Sequence, residues 1–261
     1  MSWFVVISVF RLVNRDMKMM LNRSNLGLQL ISPLMYIFVV GFIYSSIIEE
    51  VEINGGKEIS YTAFLASGII VMQIMFSSMS AGVMFWADRR YGMFEQILTC
   101  PFERFEYILS KILSAMFQGI ISGLVVLIIS SPILVGEGLE ISVLGTLYVI
   151  FGFVFGAFFF GALTLTISVL VKSNETFNML IGVMFMPFIA FSTIFYPISQ
   201  APSLLKIIAY INPLTYASDI LRTGLFGLGT EKLLYKMFLL FGESLIMFYI
   251  AVIGYKKHVE I

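Results

Sequence analysis

The chain is poor in the residues on which most enzyme sites are built. Its 261 residues include one cysteine, Cys100, and one histidine, His258. A single cysteine excludes an internal disulfide and a cysteine-based metal cluster, and one histidine leaves little for histidine-based catalysis. The sequence also lacks the Gly-x-x-x-x-Gly-Lys-Ser/Thr, His-Glu-x-x-His and nucleophile-elbow motifs. We therefore expect no enzyme activity, no metal and no cofactor in this chain.

Charged residues are scarce as well. They make up 12% of the chain, against about 25% in a soluble domain. Apolar residues make up 59%, which is typical of a helical protein that crosses the membrane several times. The 16 basic and 16 acidic residues balance, so nothing indicates a polyanionic partner such as a nucleic acid.

Six apolar segments are long enough to cross a bilayer, which takes about 20 residues of helix. Gly152 and Gly156 form a GxxxG pattern that permits close helix packing, and we favour packing within the chain over dimerisation. Pro187 is expected to kink the fifth span. The predicted spans are 25–48, 61–86, 107–135, 142–171, 176–196 and 233–255.

An amphipathic helix is predicted before the first span, over residues 1–23. Ser8, Arg11, Arg15 and Lys18 share one face of it, and aromatic and aliphatic residues lie mostly opposite. A basic face opposite an apolar one suits a helix lying in the plane of the lipid headgroups. The alternative is a helix packed on a soluble neighbour.

The distribution of lysine and arginine predicts the orientation, because cytoplasmic segments carry the excess of these residues. If the N-terminus is cytoplasmic, 11 of the 16 basic residues lie inside. Both termini are then cytoplasmic. The 11 are Arg11, Arg15, Lys18, Arg23, Arg89, Arg90, Arg104, Lys111, Lys172, Lys256 and Lys257.

A polar stretch, 88–106, separates the second and third spans. Tyr91, Phe94 and Leu98 recur with helical spacing and share one face of a short helix, which Pro101 would end. Such a helix could dock a partner outside the membrane, or it could be a connector resting on headgroups. The charged residues expected at the rim of the docking face are Arg89, Arg90, Glu95 and Arg104.

The segment 197–232 is predicted to form two half-helices on the outer side. It begins at Pro197 and is broken at Asn212-Pro213. Asp219 and Arg222 lie three residues apart on the second half-helix, where we expect a weak, solvated ion pair.

Glu243 is a carboxylate inside the last span and is therefore a functional candidate. It could instead be a protonated or hydrogen-bonded side chain that faces another helix, with Gln73 or Gln118 as its partner. With no lysine, arginine or histidine expected in the spans, a proton relay has few members.

Three sequence elements carry a family resemblance. Residues 94–102, Phe-Glu-Gln-Ile-Leu-Thr-Cys-Pro-Phe, running on to Lys111, resemble the cytoplasmic loop of ABC-2-type transporter permeases. Phe-Tyr-Pro at 195–197 and Asn-Pro-Leu-Thr-Tyr at 212–216, reaching Arg222, are similar to that family's last outer loop. Cys100 stands where the family usually has threonine, and Ser110 where it usually has glycine.

The resemblance implies an all-α integral membrane domain over 1–261, acting as the permease subunit of an ATP-binding-cassette exporter in the plasma membrane. Two permeases, identical or paralogous, would join two separate ATPase subunits, which would hold ATP and Mg. The 88–106 helix would be the coupling helix, and the substrate a drug, lipid, glycan or other small molecule. The alternatives are an ion-coupled carrier that uses Glu243 and a membrane scaffold that transports nothing.

Overall fold

The computed structural model describes residues 2–20, 27, 31, 33–45, 48, 50–53, 57–93, 96, 104–140, 142–198, 202–227 and 232–258. These residues are predominantly helical, as the composition predicts. The helices are α1 (Ser2–Met20), α2 (Gly41–Ser45, after a π-helical turn Tyr36–Val40), α3 (Tyr61–Ser78), α4 (Ser80–Arg90), α5 (Arg104–Gly136), α6 (Val143–Leu170), α7 (Asn174–Ala190), α8 (Ser203–Ala209), α9 (Pro213–Phe226) and α10 (Leu233–His258).

Four of these helical segments are long and apolar enough to cross a membrane. They are Tyr61–Arg90, which joins α3 to α4, then Arg104–Gly136, Val143–Leu170 and Leu233–Lys257. Each coincides with a predicted span, so the multi-pass helical class is confirmed.

The other two predicted spans are not confirmed. Eight of the 24 residues in 25–48 lie outside the described residues, and 33–45 is helical. The span expected at 176–196 is wrong at its end, because α7 has 17 residues and stops at Ala190, three residues after Pro187. A helix of that length measures about 25 Å, which is short of a 30 Å hydrocarbon core.

A β-hairpin precedes α3. Strand β1 (Glu50–Ile53) pairs antiparallel with β2 (Lys57–Ser60), and Val51 lies opposite Ile59. Both of these side chains are buried, while the glutamates beside them face outward. The sequence carried the signal, because Asn54-Gly55 between two alternating segments is typical of a hairpin. We predicted only a loop in this region.

Helix α3 forms the centre of the structure. In the most apolar stretch of the Tyr61–Arg90 segment, 83% of the residues are buried within the chain, against 17% in the corresponding stretch of α10. Helix α3 packs along α5, α6 and α9, while α10 packs along α6 and also contacts α9. Side-chain oxygens of Ser60, Ser142, Ser173 and Asn212 accept first-turn N–H groups and so start α3, α6, α7 and α9.

Glycines bring α6 and α9 into close contact. A Cβ added to Gly156 would lie 3.5 Å from the Ala217 side chain. A Cβ added to Gly152 would lie 3.5 Å from the Ala217 carbonyl oxygen. The GxxxG pattern therefore packs inside the chain, as predicted. A Cβ added to Gly224 would come within 2.6 Å of the Gly145 carbonyl oxygen, so the two backbones nearly touch there.

Candidate coupling region and buried charge networks

The segment proposed for coupling connects α4 to α5. We call this end of the molecule the loop end and the opposite end, with the β-hairpin, the hairpin end. Helix α4 continues to Arg90 and is closed by Gly92, whose φ of +67° suits glycine. Asp88, Arg89 and Arg90 therefore belong to the membrane helix, and assigning them to a separate coupling helix was wrong.

Tyr91 lies in the turn after α4, and it is 74% exposed. Phe94, Glu95, Leu98 and Pro101 lie outside the described residues, so the helix predicted over them stays a prediction.

The basic residues of the segment differ in their surroundings. The Arg89 guanidinium lies 4.9 Å from the Phe85 ring centroid and 5.5 Å from that of Trp86, so it packs against aromatic faces. Arg90, at the end of α4, and Arg104, at the start of α5, are exposed. They flank the loop.

Four charged side chains form a closed arrangement at the loop end, which we call the charge ring: Arg15 and Asp16 of α1, Asp88 of α4 and Lys111 of α5. Arg15 Nη2 lies 2.6 Å from Asp16 Oδ1 and 3.0 Å from Asp88 Oδ2. Lys111 Nζ lies 3.0 Å from Asp16 Oδ2 and 2.6 Å from Asp88 Oδ2. Each carboxylate therefore bridges both cations.

Three members of the charge ring are shielded from solvent, and the fourth, Arg15, is 23% exposed. The side chains of Asp16 and Lys111 are fully buried, and Asp88 is 3% exposed. Tyr107 adds a 2.9 Å hydrogen bond to Asp88 Oδ2. Burial lowers the pKa of Arg15, but the Asp16 and Asp88 carboxylates outweigh that effect and raise it above its usual value. The two carboxylates therefore favour the charged form of the Arg15 guanidinium.

The charge ring changes the interpretation of α1. Arg11 and Lys18 are exposed, as predicted for a basic face. Ser8 and Arg15, which we placed on the same face, turn toward the protein instead. The helix packs on α5 through that side, while Ile7 and Phe10 stay exposed. Asp16 is the residue from which this packing could have been predicted, because a carboxylate on an otherwise apolar side of a helix needs a buried cation as its partner.

At the hairpin end, Arg222 of α9 is fully buried. Its guanidinium donates to Ser67 Oγ at 3.0 Å and to two backbone carbonyls, those of Phe64 at 3.2 Å and Ile194 at 3.3 Å. It also lies 3.7 Å from the Phe64 ring centroid. Ile194 belongs to the non-helical chain after α7, where Arg222 satisfies a carbonyl that lipid could not.

The Asp219–Arg222 pair is not the solvated pair we expected. Both residues are buried, and their closest charged atoms are 3.6 Å apart. Asp219 makes a shorter contact with Lys236 Nζ of α10, at 2.6 Å, and accepts a hydrogen bond from Thr193. The solvated assignment failed because α9 is enclosed by α3, α6 and α10.

The break at Asn212-Pro213 is confirmed. It separates α8 from α9, and Asn212 caps α9 while its Nδ2 donates to the Phe188 carbonyl at 2.8 Å. Pro213 occupies the first turn of α9, where its missing N–H is tolerated. Pro197 lies in the irregular chain before α8.

Glu243 is half-buried on α10, and its Oε2 has no hydrogen-bond partner among the described residues. The partners suggested from sequence do not reach it. Gln73 donates to Ser77 at 3.1 Å, and Gln118 Oε1 is itself without a partner in the described structure. Glu243 therefore stands apart from both charged networks.

Comparison with known proteins agrees with this architecture. The profile of the ABC-2 type transporter family matches residues 8–226. The chain belongs to that family.

Among curated relatives, the proteins named "Putative transport permease ycf38" from Pyropia yezoensis and Cyanophora paradoxa are 31% and 27% identical over 195 and 228 residues. The alignments cover 73% and 85% of this chain. They span 64% of the Pyropia protein and 75% of the Cyanophora protein.

Proposed function

We propose that this chain is the membrane-spanning permease subunit of an ATP-binding-cassette exporter. It forms the path for a drug, lipid, glycan or other small molecule, and a separate ATPase subunit drives it. Two permeases and two ATPases make the transporter, which lies in the plasma membrane. The family match over residues 8–226 carries this proposal.

The loop end supports the docking role. The segment between α4 and α5 is held at one end by the long Tyr61–Arg90 helical segment and at the other by α5, and the Tyr107–Asp88 hydrogen bond joins the two. A partner that moves this segment would therefore move two membrane helices. Tyr91 leaves most of its ring exposed at the start of the segment, as expected for an anchor residue awaiting a pocket.

The test is pull-down of the proposed ATP-binding-cassette ATPase subunit with the tagged chain. Tyr91→Ala and Phe94→Ala should each weaken pull-down of the ATPase at least tenfold, since buried aromatic anchors often contribute about 2 kcal/mol or more. Tyr235→Ala is the matched control, because Tyr235 is 65% exposed but lies at the hairpin end. Full binding by both loop variants would refute this docking site.

We also propose that the loop end faces the cytoplasm, as the lysine and arginine distribution favours. Glu58 in the hairpin and Lys172 between α6 and α7 are exposed at opposite ends. In a Cys100→Ser background, Glu58→Cys should react with an impermeant thiol reagent added to whole cells, and Lys172→Cys should not. The reverse pattern would overturn the orientation.

An ion-coupled carrier is the second candidate, and the unpartnered Oε2 of Glu243 favours it. The exporter hypothesis predicts that Glu243→Gln retains ATP-dependent transport in vesicles. A carrier predicts that the same variant abolishes transport, and that a protonophore stops the unmodified protein.

A further inference from the structure

The charge ring has a composition that packing alone does not explain. Its two cations and two anions alternate, Arg15–Asp16–Lys111–Asp88, and close on themselves through four contacts of 2.6–3.0 Å. Its charges cancel, so the ring leaves no uncompensated charge in the protein. Apolar side chains of similar volume would often stabilise such a site at least as well. The ring therefore fixes the geometry of its helices more than it adds stability.

The geometry it fixes is that of the coupling segment. Asp88 lies two residues before the end of α4, and Lys111 lies in the second turn of α5. Arg15 and Asp16 add α1. Along the chain, α1 is separated from α4 by α2, the β-hairpin and α3. Sliding any of the three helices by one residue would separate several charged pairs at once. The ring thus sets the register of α1, α4 and α5.

We propose that Arg15, Asp16, Asp88 and Lys111 are positioning residues that join α1 to both roots of the coupling segment, so that α1 moves with α4 and α5 during transport. The proposal rests on the proposed function, because it assumes that an ATPase acts on that segment. It assigns α1 a mechanical part in coupling, beyond its expected place in the headgroup plane. The ring is required for coupling and not for docking.

The sharpest variant removes the half of the ring that α1 supplies. Arg15→Met with Asp16→Asn deletes one cation and one anion and leaves the 2.6 Å Lys111–Asp88 pair intact. The matched control is Lys172→Met with Glu175→Gln, which deletes an exposed cation and anion at the same end. Both double variants keep the net charge of the chain.

The first readout needs no ATPase. Leu12 is 7% exposed on the buried side of α1, so Leu12→Cys in a Cys100→Ser background reports whether α1 stays docked. We expect its reaction with a water-soluble thiol reagent to accelerate at least fivefold in the ring variant and not in the control. An unchanged rate would overturn the role of the ring in holding α1.

The second readout is the number of substrate molecules transported per ATP hydrolysed by the reconstituted complex. We expect the ring variant to bind the ATPase within twofold of normal while this ratio falls about tenfold. Normal transport per ATP, or loss of ATPase binding by a folded variant, would overturn the proposal. If the unmodified chain binds no ATPase, the proposed function fails, while the thiol readout still tests the ring.

A milder variant covers the case in which the double variant does not fold. Arg15→Lys keeps all four charges but replaces a planar guanidinium, whose Nε and Nη2 both donate to Asp16 while Nη2 also reaches Asp88, with a single ammonium. We expect transport per ATP to fall two- to threefold at normal expression. A ratio equal to that of the unmodified protein would contradict the need for a rigid ring.

Discussion

The two ends of the molecule hold their buried charges in different ways. At the loop end, four formal charges neutralise one another in a ring that three helices share. At the hairpin end, Arg222 depends mainly on neutral acceptors, a hydroxyl and two backbone carbonyls, and its nearest carboxylate is closer to Lys236. The loop end thus uses charge to align helices, and the hairpin end uses it to satisfy irregular backbone inside the protein.

Loss of one charge should therefore be most damaging in the ring. Lys111→Met leaves two buried carboxylates with one arginine, which should lower the free energy of unfolding by about 3–5 kcal/mol. Thermal unfolding in detergent measures this, with exposed Lys172→Met as the control. A melting temperature equal to that of the control would show that the ring's charges are not interdependent.

Arg222→Met should have the next largest effect. It orphans the Ile194 carbonyl, but Asp219 keeps Lys236 as its counter-ion, so no bare buried charge remains. We expect a loss of about 2–3 kcal/mol in the same unfolding measurement. The stability of Arg222→Lys should lie between that of the unmodified protein and that of Arg222→Met, because lysine keeps a charged donor but loses the several N–H groups of the guanidinium. A larger loss for Arg222→Met than for Lys111→Met would reverse the comparison.

Close backbone contact is the second support of the hairpin end, and Gly224→Ala tests it. The added Cβ would meet the Gly145 carbonyl oxygen at 2.6 Å, so α9 and α6 must separate. Overpacking of this kind costs about 1–3 kcal/mol. Gly182→Ala on α7 is the control, because its Cβ would meet nothing within 4 Å. Equal stability of the two variants would mean that this crossing adapts at little cost.

The parts of the fold that depend on local pattern were predictable. Four spans followed from length and apolarity, the α8–α9 break followed from Asn212-Pro213, and the internal packing of Gly152 and Gly156 followed from their spacing. Each of these signals lies within a short stretch of sequence, where helix length, proline chemistry and side-chain size decide the outcome.

The charged networks could not be predicted in this way. Asp16 and Lys111 lie 95 residues apart in the chain, and one sequence contains no record of which distant residues pair. Asp219 and Arg222 are close in sequence, but their burial depends on three other helices that enclose α9. The coupling face over Phe94 and Leu98 lies outside the described residues, so it remains a hypothesis that mutation must test.

The smallest effect is expected for the exposed pair at the hairpin end, between Lys57 and Glu140. Their charged atoms are 2.9 Å apart, as short as contacts in the ring, but the side chains are 35% and 59% exposed. Water and salt screen such a pair, so a double-mutant cycle of Lys57→Ala and Glu140→Ala should give a coupling energy of about 0–1 kcal/mol that falls as salt is raised. Val51→Ala, which empties a buried position of the same hairpin, should cost more than either change. A coupling energy above about 2 kcal/mol, insensitive to salt, would mean that distance and not burial sets the strength of these pairs, and the contrast between the two ends would fail.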